Sequence, residues 1–167
     1  MTKIYQIILV TFLGIWTTLA SWVPKVKMYY IENTKIVSRE DAKANCQELG
    51  MHLLTVKSRI EFDTLKEHLR SQYAEMYPYW IGAYKRNETW IWDEYEEVIE
   101  PSKQFWHTGE PNSAFPKEIC AHTVYGEFGW NDNHCEGPQR YICELQLDTP
   151  SSVVSFLPTT PRVQASY

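Results

Sequence analysis

Two stretches of the chain space their apolar residues as a helix does. Ser38 precedes Arg39-Glu40-Asp41, after which Ala42, Cys46 and Leu49 recur on one face until Gly50 interrupts them. A serine hydroxyl can accept from the free N–H groups of a first turn, and glycine takes the left-handed conformation that ends a last one, so this pattern predicts a helix with a cap and a stop. Ser58 and Glu61 have the spacing of a capping box, and Phe62, Leu65 and Leu69 then mark one apolar face through about Arg70, predicting a second helix. Residues 53–56, Leu-Leu-Thr-Val, read as a short buried strand between the helices, and 28–31 as the first strand.

From Tyr77 onward the period changes. Short aromatic and β-branched segments alternate with turn residues, and the candidate strands are 79–83, 90–92, 119–125, 129–130 and 140–145. Helices followed by strands indicate an α+β domain. Segments 94–109 and 110–117 are polar, contain Pro and Gly and hold no period. Long ordered loops of this kind in a compact domain are usually functional. Trp80, Trp90, Trp92, Trp106 and Trp130 are expected in the core rather than as exposed stacking platforms, and Glu94, Glu96, Glu97 and Glu100 as a solvated acidic loop.

The ends differ from the middle. Residues 1–20 carry one charge, Lys3, then an apolar run and Thr18-Leu19-Ala20, small residues of the kind a signal peptidase reads. They are read as a signal peptide cleaved after Ala20; an uncleaved anchor is the alternative, since the uncharged run continues to Val23. Residues 21–147 form the domain. Residues 148–167 are dominated by Ser, Thr and Pro without a period, so a disordered tail is expected there, and no membrane span in the mature chain.

A formal net charge of −5 in 167 residues, without a Lys/Arg cluster, argues against nucleic acid and anionic membrane as partners. Four cysteines in a secreted chain imply two disulfides, with three connectivities open to the sequence. Asn87-Glu88-Thr89 is an N-glycosylation acceptor in a polar stretch, expected as a surface loop. His122 and His134 flank a cysteine-rich stretch, but their spacing fits no zinc motif.

The densest chemistry lies between 110 and 135. Glu110-Pro111-Asn112 is followed by Glu118, two residues before Cys120, and by Trp130-Asn131-Asp132 before Cys135. Glu110, Glu118 and Asp132 offer carboxylates, and Asn112 and Asn131 offer amide carbonyls. Such a set suits Ca²⁺, which takes six to eight oxygens, and not Zn²⁺, which prefers four N or S ligands. Five side chains leave coordination positions open to a ligand.

With Trp80-Ile81-Gly82-Ala83 and the closing Tyr141-Ile142-Cys143-Glu144, these segments resemble the carbohydrate-recognition domain of the C-type lectins, over roughly residues 29–145. Ala83 departs from the usual residue at its position. The resemblance implies nested disulfides, Cys46 with Cys143 and Cys120 with Cys135. The second closes a loop of about 15 residues, worth on the order of 3 kcal/mol. It also implies a cis bond before Pro111, Ca²⁺ ligands at Glu110, Asn112, Glu118, Asn131 and Asp132, and sugar hydroxyls bound by the same five residues. The order Glu-Pro-Asn implies mannose-type specificity, which covers mannose, N-acetylglucosamine and fucose. Ile119 stands where relatives with a second ion place an acidic residue, so one ion is expected. Phe115 and Lys117 are expected at the rim.

No nucleophile stands beside a recognisable base, so binding and not catalysis is the expected activity. The implied protein is a secreted lectin for glycans on microbial or cell surfaces, serving innate immune recognition or cell adhesion. Homo-oligomers would supply avidity. The competing expectation is a protein-interaction domain of the same fold with a vestigial sugar site.

Overall fold

A computed structural model of the chain describes residues 26–147 and 155–156. The expected signal peptide, and all of the expected tail except 155–156, lie outside the described residues. The elements run β1 (Val26–Val37), α1 (Arg39–Glu48), β2 (His52–Leu53), α2 (Arg59–Gln72), β3 (Tyr79–Arg86), β4 (Thr89–Trp92), β5 (Glu97–Val98), a 3₁₀ turn (Pro101–Lys103), β6 (Glu118–Thr123), β7 (Trp130–His134), β8 (Gln139–Leu147) and β9 (Ser155–Phe156). The fold is α+β, as expected.

Both helices begin and end for the reasons their residues give. Ser38 accepts from the Asp41 N–H. At the other end Gly50 takes φ +68°, its N–H donates to Gln47 O at 2.9 Å and Met51 N–H donates to Cys46 O at 2.9 Å. This pair of bonds is the Schellman motif that satisfies the last carbonyls of a helix. In α2 the Glu61 N–H donates to Ser58 Oγ at 3.1 Å. The returning bond of the box lands one residue early, from Lys57 N–H to Glu61 Oε2 at 2.8 Å. The other oxygen of Glu61 takes Lys27 Nζ and the Tyr29 hydroxyl, each at 2.7 Å, which ties the start of α2 to β1.

The strands form one mixed sheet whose main path is β5-β4-β3-β8-β1-β9. β8 is its centre: antiparallel to β1, with Ile31 opposite Ile142, and parallel to β3, with Trp80 opposite Tyr141. β6 joins antiparallel to β3, and β7 to β6. One core cluster gathers Phe62, Leu65 and Leu69 of α2 with Ile81, Trp90, Trp92 and Trp130. A second gathers Ala42 and Cys46 of α1 with Leu53, Trp80 and Tyr141. Trp106 is half-buried and packs against the first. Gly82 sits where β3 crosses β2: a Cβ there would lie 3.1 Å from both the Leu53 and Leu54 carbonyl oxygens.

Several boundaries differ from expectation. β2 stops at Leu53, because Leu54 N–H turns to Ile142 O while Leu54 O receives Gly82 N–H. Segment 94–109 is not only loop: Glu97 and Val98 pair with Trp92 and Ile91. Three of its acidic residues are ion-paired as well as solvated, Glu96 with Arg86, Glu97 with Lys57 and Glu100 with Lys103. β7 extends to His134 because Asn131 and Asp132 pair with His122 and Ala121. In the expected tail, Ser155 and Phe156 lie parallel to Met28 and Tyr29 of β1.

Candidate functional site

The disulfides are Cys46–Cys143 and Cys120–Cys135. The first fixes α1 to the central strand, and the second joins the start of β6 to the segment just after β7. Those two strands present Glu118, Asn131 and Asp132, while Glu110 and Asn112 arrive on the loop before β6, through a cis bond at Pro111.

Asp132 organises the site. It is 1% exposed and its carboxylate receives three donors: Asn112 N–H at 3.1 Å, Ser113 N–H at 3.0 Å and Ser113 Oγ–H at 3.2 Å. Asn112 also donates to Glu110, from its N–H to Oε2 at 3.1 Å and from its side-chain amide to Oε1 at 2.9 Å. Glu110, Asn112 and Asp132 are thus brought together. Burial, and then the negative charge of Asp132 beside it, push the Glu110 carboxyl above its ordinary value despite the Asn112 donors. A loop carboxylate facing a buried carboxylate on β7 is a hard-oxygen arrangement that a divalent cation relieves.

The other two expected ligands are placed differently. Glu118 is buried at the start of β6 and its Oε2 accepts from Phe115 N–H at 3.1 Å. Asn131 precedes Asp132 on β7, so the pleat sends the two side chains to opposite faces. Its amide nitrogen lies 3.5 Å from His122 Nε2, while its Oδ1 is buried and without a hydrogen-bond partner. Buried polar atoms are normally satisfied, so this oxygen is an acceptor in want of a partner. Among the described residues, no three His, Cys, Asp or Glu side chains converge as a ready-made metal cluster. The donor types nonetheless suit Ca²⁺: the carboxylates of Glu110 and Asp132 face one another and that of Glu118 is bound to the same loop, while Asn131 lies on the other face of β7 and would have to turn to join them.

His122 is not a zinc ligand in waiting. Its Nδ1 donates to Thr123 O at 2.8 Å, which leaves Nε2 to accept from the amides of Asn131 and Asn133. Burial pushes its pKa down, against the pull of the Thr123 carbonyl, Asp132 and Glu118, so it serves as a neutral buttress behind β7. Neither this role nor that of Ser113 was legible beforehand. Ser113 follows Asn112 without any motif, and only its φ of +46° turns both its N–H and its hydroxyl onto Asp132.

The chain resembles known proteins in the same region. The model of the lectin C-type domain matches residues 35–145. E-selectin of Sus scrofa is 30% identical over 127 residues, which are 74% of this chain and 26% of that protein. The CD209 antigen of Macaca mulatta is 31% identical over 140 residues, 80% of this chain and 33% of that one. The chain therefore spans between about a quarter and a third of the length of these relatives. Among solved structures, the C-type lectin domain of murine dendritic cell inhibitory receptor 2, in complex with N-glycan, superposes with a TM-score of 0.60 at 26% identity, covering 71% of this chain and 90% of that domain. The family match falls on the segment that holds both disulfides, both helices and all five expected ligands, and the chain belongs to the C-type lectin domain family.

Proposed function

We propose that this protein is a secreted, Ca²⁺-dependent lectin that binds mannose-type glycans on microbial or cell surfaces. Domains of its family bind glycans and are generally non-enzymatic. The observation that carries the reading is the accessible Glu110–Asn112 pair held over the buried carboxylate of Asp132. Glu110 offers an acceptor and Asn112 both a donor and an acceptor, so vicinal hydroxyls of one pyranose can be matched at once. Glu118, Asn131 and Asp132 complete the proposed oxygen set. Ca²⁺ bound there would offset the Glu110–Asp132 repulsion and offer open positions to sugar hydroxyl oxygens. With Ile119 after Glu118, one ion is proposed.

Glycan-array binding with Ca²⁺ and with EDTA tests this. Mannose-type signals that vanish in EDTA are expected, and Glu110→Gln with Asn112→Asp, which exchanges acceptor and donor, should move preference toward galactose. Binding that persists in EDTA, or an array without any sugar signal, would overturn the lectin reading in favour of a protein-interaction domain.

A further inference from the structure

A cleft of about 440 Å³ adjoins the proposed site. One wall is the loop 113–119, with Phe115, Lys117 and Glu118; the other is the β3–β4 hairpin, with Lys85 and Glu88. Phe115 is 62% exposed, an unusual setting for a large ring. Lys85 and Glu88 form an ion pair at 2.9 Å across the hairpin. An aromatic face flanked by charged donors and acceptors suits a pyranose, which has an apolar C–H face and a rim of hydroxyls. The cleft is also joined to the site already described, because Glu118 accepts from the Phe115 N–H.

The hairpin turn contains the glycosylation acceptor. Arg86 pairs with Thr89, and Asn87 and Glu88 between them have φ of +45° and +62°, the signature of a type I′ turn. Asn87, Glu88 and Thr89 are all exposed. Asn87 lies in sequence between Lys85 and Glu88, which both line the cleft, and so stands beside its wall without being part of it.

We propose that the cleft is a second carbohydrate subsite, filled in cis by the first sugars of an N-glycan on Asn87, which thereby restricts access of branched glycans to Glu110 and Asn112. The packing stands apart from the lectin reading; the restriction rests on it. Contact between one sugar and one aromatic ring is weak in free solution. Tethering spares the sugar most of the translational and rotational cost of association, so that a contact of this strength holds it against the ring. A monosaccharide reaching Glu110 and Asn112 needs no space beyond them, whereas a branched oligosaccharide extends into the filled cleft.

The test uses the full chain secreted from cells that attach oligomannose N-glycans. Intact mass should show one glycan, removed by Thr89→Ala and by Asn87→Gln; a bare Asn87 overturns the proposal. Phe115→Ala should speed enzymatic release of the glycan from native protein roughly five- to tenfold, the scale of a lost aromatic contact. Equal release rates overturn the packing. Removal of the sequon should strengthen binding of a branched mannose oligosaccharide roughly tenfold and leave methyl α-mannoside unchanged. Equal oligosaccharide affinity, with methyl mannoside still bound, overturns the restriction. Loss of methyl mannoside binding in every form overturns the lectin reading instead, and the release rate still decides the packing.

Discussion

Asp93 joins α1 to the sheet by charge. Its carboxylate receives Lys43 Nζ at 2.8 Å and both terminal nitrogens of Arg39 at 3.3 Å, and Arg39 is only 4% exposed. Burial alone would push the Asp93 carboxyl up, but the Lys43 hydrogen bond and the Arg39 and Lys43 charges together hold it below its ordinary value. A group depressed in the folded state contributes stability above its unfolded pKa of about 4 and loses it as pH falls through the lower folded value. Glu144 acts with the opposite sign: burial pushes its carboxyl up against Lys27 and Thr55, so its ionisation costs stability at higher pH. Asp93→Asn separates the two. It should lower stability at neutral pH by about 2–4 kcal/mol, because Arg39 is left buried beside a neutral amide. Below about pH 4 the variant should show a shallower loss than the wild type. Urea melts at a series of pH values check both effects, and parallel pH profiles would remove Asp93 from the account. None of this was visible in the apolar pattern, where Arg39 stood as a first-turn charge outside the helix face.

At the scale of elements, what the sequence showed follows from where apolar periodicity is strong. Both helices were legible from their caps and apolar spacing, but Leu49, expected on the buried face of the first, is instead its C-cap and 53% exposed. β5 was not legible, since Glu97 and Val98 are exposed and too few to carry a period. β7 seemed to end at Trp130 because Asn and Asp disfavour strands on average; the β6 partners His122 and Ala121 override that preference. The same override appears in the β3–β4 turn, where Glu88 occupies a φ of +62° that an L side chain adopts at a cost of about 1–2 kcal/mol. Glycine is free of that cost but loses more backbone entropy on folding, by about 0.5–1 kcal/mol. Glu88→Gly should therefore stabilise the domain by about 0.5–1 kcal/mol and leave the sequon intact. Denaturant unfolding with an unchanged m-value checks it, and a loss of stability would show that the exposed Lys85–Glu88 pair matters more than the turn.

The whole molecule is organised by two covalent ties of different reach, and only the count of cysteines was available from the residues alone; their pairing came with the resemblance. The parallel β3–β8 junction at the sheet centre and the contact of β9 with β1 were not legible, because neither leaves a local pattern. Cys46 and Cys143 are 97 residues apart and close the domain, whereas Cys120 and Cys135 are 15 apart and close the pair of strands that bears Glu118, Asn131 and Asp132. Loop-closure entropy then predicts unequal losses, about 4–5 kcal/mol for Cys46→Ala with Cys143→Ala and about 3 kcal/mol for Cys120→Ala with Cys135→Ala. Their effects on the proposed Ca²⁺ site run the other way. The long tie lies outside β6 and β7, so the variant lacking it should keep the rise in Tm that Ca²⁺ gives by binding the folded state alone. The short tie holds Glu118 against the 110–117 loop through the start of β6, so the variant lacking it should remain folded by circular dichroism yet lose most of that rise. Thermal melts of both variants with Ca²⁺ and with EDTA decide the point: equal Ca²⁺-dependent shifts in the two would show that the site draws its order from the sheet as a whole and not from the short loop.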